Sequence, residues 1–300
     1  MRVLLATDGS DAAARACQVV AGWQLPAGSQ VRVVSVLAQP VTMLEPYGAY
    51  GAGLLAESQL LYEMRDHELK LVHDSLSAAE AALRREGVVV TTELRDGDAA
   101  SQILTAAKEF CAELLVVGSK GLSGLDEFLL GSVSRNVAKH AKCPVLVVRG
   151  SATTFHKVLL AVDVSDHSRQ AAEFLGHLPL PAAAEVTALH VVRPYSPFPG
   201  ILPTDRPEFN TAVEEVREQH LKAAKALVAD AGRRVGRMPE VTTCVRNGGP
   251  SEEVLRFAKE WGADLLIVGA RGTSLIEGLL VGSVADRVLK DAKCSTLIVH

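Results

Sequence analysis

Along the first half of the chain, apolar residues gather into short unbroken runs that alternate with stretches repeating at helical spacing. Arg2–Thr7 is an apolar run that closes on Asp-Gly-Ser and leads into an Ala-rich segment, which predicts a strand and then a helix over Ala12–Ala21. Val31–Leu37 reads as a second strand. Leu54–Arg85 carries a long helical pattern that reaches Gly87, a residue suited to stopping a helix. Val88–Leu94 is rich in β-formers, Ala99–Phe110 is helical, and Leu114–Val117 is a further strand. Ser132–Ala141 then reads as a helix and Pro144–Val148 as the last strand. Strands that are continuously apolar, rather than alternating, are covered on both faces and belong to parallel sheets flanked by helices. The expected class is therefore α/β, a doubly wound, Rossmann-like parallel sheet with five strands.

The second half repeats the first. Shifted by 151 positions, Glu93–Val148 lies over Cys244–Val299 without a gap, and 24 of the 56 pairs are identical. Near the N-terminus the offset is 155, where VLLATDGSD lies over VLLAVDVSD. Two tandem copies are expected, spanning 1–150 and 151–300, with a short polar linker at Gly150–Thr154. Pro40–Gly53 and Arg193–Pro207 break the rhythm after the second strand of each copy. Segments of that length at the carboxyl edge of a sheet suit lids over a ligand.

Composition narrows the function. The chain has 300 residues, is 48% apolar and 22% charged, and has a formal net charge of −4. That is ample for two buried cores and unlike a disordered chain. Its 31 Lys and Arg are scattered, which disfavours a nucleic-acid partner. Without an apolar run of membrane-spanning length or an N-terminal leader pattern, a cytoplasmic location with no membrane partner is expected. Five cysteines without a C-x-x-C pair read as buried free thiols, not as a zinc or redox site. His67-Glu68 and His73 are too far apart for a zinc-binding helix face, so no metal site is expected there. Neither a P-loop, a G-x-G-x-x-G turn nor a G-x-S-x-G elbow occurs, and no catalytic residue is nominated.

The chemistry-bearing pattern follows the fourth strand. Copy one has Gly118-Ser-Lys-Gly121, nine residues, then Gly131-Ser132-Val133-Ser134; copy two has Gly269-Ala-Arg-Gly272, nine residues, then Gly282-Ser283-Val284-Ala285. Glycines allow backbone amides to approach an anion, and a Gly-Ser that opens a helix offers unpaired N–H groups and the positive end of the helix dipole. Lys120 and Arg271, between the paired glycines, supply a cation in each copy. Glycines that simply turn the chain and a serine that caps a helix would give the same residues. An Asp that caps the helix after it would likewise account for Asp8 and Asp163.

This G-x2-G-x9-G-[ST] pattern, with an Asp closing the first strand, resembles the universal stress protein family, and the resemblance covers essentially the whole chain as two tandem domains. The family has a five-stranded parallel sheet, and one branch binds ATP through this motif. The resemblance places Asp8 and Asp163 against adenosine, and Val36 and Val191 at the adenine pocket. Gly118, Gly121, Gly131, Ser132 and Ser134, with Lys120 and Val133, would hold ribose and phosphates in copy one. Gly269, Gly272, Gly282 and Ser283, with Arg271 and Val284, would do so in copy two. Copy two departs from the pattern: Ala285 replaces Ser134 and Val164 replaces Gly9, so weaker binding is expected there. The implied function is an ATP-binding regulator of stress adaptation, with Mg2+ accompanying the nucleotide. A slow ATPase or adenylate-handling enzyme is the alternative, and a nucleotide-free interaction protein a further one. The resemblance also implies that the last strands, at Val145–Val148 and Leu297–Val299, pair as an intramolecular pseudo-dimer, with a homodimer as a second level of assembly.

Overall fold

A computed structural model describes residues 1–37, 53–121, 130–193, 207–236, 240–272 and 280–300. Most of both suspected lids, 40–52 and 194–206, lies outside the described residues. The chain divides into two compact units, Met1–Val148 and Arg149–His300.

Unit one runs β1 (Arg2–Ala6), α1 (Asp11–Gly22), β2 (Ser29–Leu37), α2 (Gly53–Leu83), β3 (Val88–Asp96), α3 (Ala99–Glu109), β4 (Leu114–Gly118), α4 (Ser132–His140) and β5 (Val145–Val148). Its strands are all parallel, in the order β3-β2-β1-β4-β5. Unit two repeats this with β6 (Lys157–Ala161), α5 (Asp166–Leu175), β7 (Glu185–Val192), α6 (Pro207–Val235), β8 (Val241–Asn247), α7 (Pro250–Trp261), β9 (Leu265–Gly269), α8 (Ser283–Asp291) and β10 (Ser295–Val299). There the parallel order is β8-β7-β6-β9-β10.

The central strands carry the core because both their faces are covered. Leu4 and Leu5 of β1, Val33 of β2 and Leu115 of β4 are fully buried, as are Leu159, Leu160 and Ile267 in unit two. In β1 the register sets Leu4 beside Leu115 and Leu5 beside Val33, so large aliphatic residues stack across the sheet. β3 departs from the unbroken apolar pattern of the others: it pairs only with β2 in its unit, its residues are partly or fully exposed, and Val89 is open to solvent. An edge strand has no neighbouring strand on one side, so its side chains are less enclosed than those of the central strands.

Helix α2 stops at Leu83, before the glycine that was expected to end it. Gly87, with φ +77°, instead turns the chain into β3, and its carbonyl accepts from Gly28 N–H at 2.8 Å. The residue between has another task. The Arg85 guanidinium reaches the end of α1, donating to Ala21 O at 2.7 Å and Val20 O at 3.3 Å. Since α1 has no basic residue in its last turn, Arg85 supplies the cation that the negative end of the helix favours. Burial lowers the Arg85 pKa from its usual range, without discharging the group.

The cysteines differ from expectation. Cys17 is buried, Cys143, Cys244 and Cys294 are half-buried, and Cys111 is exposed with φ 49°. Burial pushes the Cys143 and Cys294 thiols up to about 11, which keeps both protonated at neutral pH. His67, Glu68 and His73 all lie exposed on α2. Among the described residues, no helix is long and apolar enough to cross a membrane.

Replacing Arg85 with Met keeps the aliphatic stem and removes both bonds to α1. We expect unit one to lose about 1.5–3 kcal/mol, the range for hydrogen bonds made by a charged group, while unit two is unaffected. Urea unfolding followed unit by unit checks this through the first transition alone moving to lower urea.

Candidate functional site

The carboxyl ends of β1, β2 and β4 meet the first turn of α4 around a cavity of about 370 Å3. Asp8, Val36, Gly118, Lys120, Gly121, Gly131, Ser132, Val133 and Ser134 all line it. The same elements of unit two enclose about 330 Å3, lined by Asp163, Val191, Gly269, Arg271, Gly272, Gly282, Ser283 and Val284 among others. Every residue nominated from the sequence therefore stands at one of two equivalent cavities.

The turn after the first strand is held by the serine and the aspartate together, and the serine is the helix cap. Ser10 is the N-cap of α1, accepting from Ala13 N–H at 3.2 Å, and its hydroxyl also donates to Lys120 O at 3.3 Å. Ser165 caps α5, accepting from Ser168 N–H at 3.2 Å, and its hydroxyl hydrogen faces both Asp163 Oδ1 and Arg271 O, the latter at 3.1 Å. One side chain thus ties a helix start to the glycine loop in each unit. Asp8 Oδ1 accepts the Ser10 N–H at 3.0 Å, and Asp163 Oδ1 accepts the Ser165 N–H at 3.0 Å. The reading of these aspartates as helix caps is set aside, since the serines hold that position.

The glycines are required by close approach. A Cβ on Gly118 would lie 2.6 Å from the Ala12 carbonyl carbon, inside the backbone of α1; the Gly269 equivalent would lie 2.8 Å from that of His167. At Gly121 and Gly272 an added Cβ would stand 2.6 Å from Asp8 Oδ2 and Asp163 Oδ2 respectively. Both carboxylates therefore border the glycine loops at contact distance. The loops then fold back, with Gly131 N–H donating to Ser119 O at 2.8 Å and Gly282 N–H to Ala270 O at 2.7 Å.

Gly131 is the N-cap of α4 and Gly282 that of α8, and among the described residues no side chain caps the first-turn amides of either helix. α1, α3 and α5 are capped by Ser10, Asp98 and Ser165, whereas α7, which follows Gly249, also has no side-chain cap. The helix ends that border the cavities thus keep their N–H groups and positive dipole for a ligand. Ser132 is the first residue of α4 and not its cap.

Ser134 lines the cavity and also makes an internal bond. It is buried, and its hydroxyl donates to Gly118 O at 2.6 Å, so its hydrogen holds α4 to the end of β4. Ala285 has no hydroxyl with which to hold Gly269, and the difference between the copies at this position is first of all a lost internal tie. Gly9 has φ +77°, whereas Val164 is absent from the positive-φ residues, so the second turn takes a path open to a branched side chain.

Walls missed by motif reading come from α3 and α7. Ala99 and Ile103 line the first cavity, and Pro250 and Val254, at the same repeat positions, line the second. The repeat register carried that signal. His190 and Arg193 line the second cavity, and no motif announced them.

A model of the universal stress protein family matches residues 1–149 and again 154–300. A universal stress protein of Mycolicibacterium smegmatis (strain ATCC 700084 / mc(2)155) is 30% identical over 271 residues, covering 87% of this chain and 84% of its own. One from Mycobacterium tuberculosis (strain ATCC 25618 / H37Rv) is 29% identical over 242 residues, covering 78% of this chain and 76% of its own. Among solved structures, a universal stress protein from Archaeoglobus fulgidus DSM 4304 has the same fold, with a TM-score of 0.61 at 20% identity over 99% of this chain and 97% of that one.

His167 packs behind Gly269, where unit one has Ala12. Burial foremost, and then the Arg271 charge, hold its pKa below the ordinary histidine value, against the pull of Asp166 and Asp163. The unfolded chain therefore takes up a proton first as pH falls. Unit two is unaffected by this group well above about pH 6.5 and loses stability below it. Thermal unfolding measured at roughly pH 7.5 and pH 5.5 checks this. The Tm of unit two should fall at the lower pH, and by less in His167→Ala.

Proposed function

The chain belongs to the universal stress protein family, and from that premise we propose that it is a nucleotide-binding regulator of stress adaptation that holds ATP, with Mg2+, in both units. The observation that carries this reading is the pair of uncapped helix starts, at Gly131 and Gly282, each beside a glycine loop and a cation. Such a helix start suits phosphate, because four amides point outward with the dipole behind them. Lys120 and Arg271 would neutralise phosphate charge, and Ser132 and Ser283 would offer hydroxyl donors. Asp8 and Asp163, at the far side of the glycine loop, suit ribose hydroxyls, which donate well to a carboxylate. Val36 and Val191 would wall the base.

Regulation then means that ATP binds one conformation, or one partner complex, better than another, since a ligand shifts an equilibrium only by its differential affinity. Nucleotide bound to the native chain must also raise its stability.

Two measurements test the reading. Adenine nucleotide released by heating protein purified without added ligand should approach about two per chain, one for each cavity, and excess ATP with magnesium should raise Tm. Gly121→Val drives a side chain into Asp8 and should lower the count to about one. No released nucleotide and no shift in Tm would refute the proposal.

A further inference from the structure

The two cavities share a backbone and differ in where their charges stand. At the first, the fourth residue of α4 is Arg135, exposed and without an ion pair among the described residues. It shares a helix face with Ser132, three positions earlier, beside the uncapped amides. At the second, the same position of α8 is Asp286, an acidic group in the first turn. A carboxylate there opposes anions that the dipole would otherwise attract, and a guanidinium reinforces that attraction.

The opposite end of each cavity shows the reverse. β2 contributes Val36 to the first cavity. β7 contributes His190 and, just beyond its end, Arg193 to the second. The His190 counterpart in unit one, Ser35, is buried and does not line the cavity. His190 Nδ1 lies 2.7 Å from Val162 O, and a carbonyl only accepts, so Nδ1 carries the proton. Arg193 makes no ion pair among the described residues, and its planar fork is suited to a phosphate. Lys120 and Arg271 match one another and cancel in the comparison.

Resting on the nucleotide reading above, we propose that the two cavities sort adenine nucleotides by the position of their negative charge. The first favours the triphosphate, whose charge extends to α4 and Arg135. The second does not, because Asp286 offsets the dipole of α8, while Arg193 and His190 stand at the opposite end and act on either nucleotide alike.

The test is calorimetric titration of the full chain with ATP and with AMP at low salt, where these charges are least screened. Gly272→Val leaves the first cavity, and Gly121→Val leaves the second. With the first alone, ATP should bind at least about tenfold more tightly than AMP; with the second alone, the two should agree within about threefold. Adding Asp286→Arg to the second should raise its ATP-to-AMP ratio about tenfold, and Arg135→Asp should lower that of the first as much. If a glycine variant does not fold, the same charge changes in the otherwise unaltered chain carry the test, each moving the ratio of one of two binding steps. Equal ratios in the two cavities, or ratios that ignore the charge changes, would overturn this inference and leave the nucleotide reading intact. Absence of binding by both ATP and AMP to the unaltered chain would overturn both.

Discussion

Each cavity depends on one approach: the carboxyl end of the fourth strand of the unit comes so near the first turn of its first helix that no side chain fits between them. A Cβ on Gly118 would sit 2.6 Å from backbone carbon of Ala12. That contact sets how far the chain can swing before Gly121 passes the Asp8 carboxylate and Gly131 folds back onto Ser119. Ser10 closes the arrangement by bonding both the α1 amide and the Lys120 carbonyl. Unit two reaches the same geometry with Gly269, Gly272 and Ser165, although much of the surrounding sequence has changed.

Several helix ends elsewhere are closed, which sets the cavities apart, although α7, after Gly249, also lacks a side-chain cap. Helix starts at α1, α3 and α5 are closed by their own side chains, and the end of α1 is closed by Arg85 from a distant part of the chain. Against that background, the amides that open α4 and α8 border the cavities with no side-chain acceptor among the described residues. A buried or half-buried donor in that state is a site for an anion more readily than a flaw in packing.

Much of this was readable from residue order. Strand and helix order followed from apolar runs, because strands covered on both faces, such as Leu4–Leu5 and Leu114–Val117, need unbroken hydrophobicity. The glycine spacing and its repetition pointed to the cavities directly. What was not readable arose from partners distant in sequence. Nothing near Arg85 shows that α1 lacks a cation at its end, so Gly87 looked like the stop signal. That Ser134 is also an internal tie could not be read locally, because its bond to Gly118 joins positions 16 apart. The cavity roles of His190 and Arg193 follow from strand position, which the motif does not encode.

The Ser134 bond also has a mechanical side. In unit one, α4 is fastened to β4 by a buried hydrogen bond at the base of the cavity, so helix and strand move as one piece. In unit two, Ala285 fills that place with a methyl group, and α8 meets β9 through packing alone at this point. Packing resists separation but permits sliding, whereas a short directional bond resists both. The wall that α4 gives the first cavity is thus fastened by one buried bond that the wall from α8 does not have.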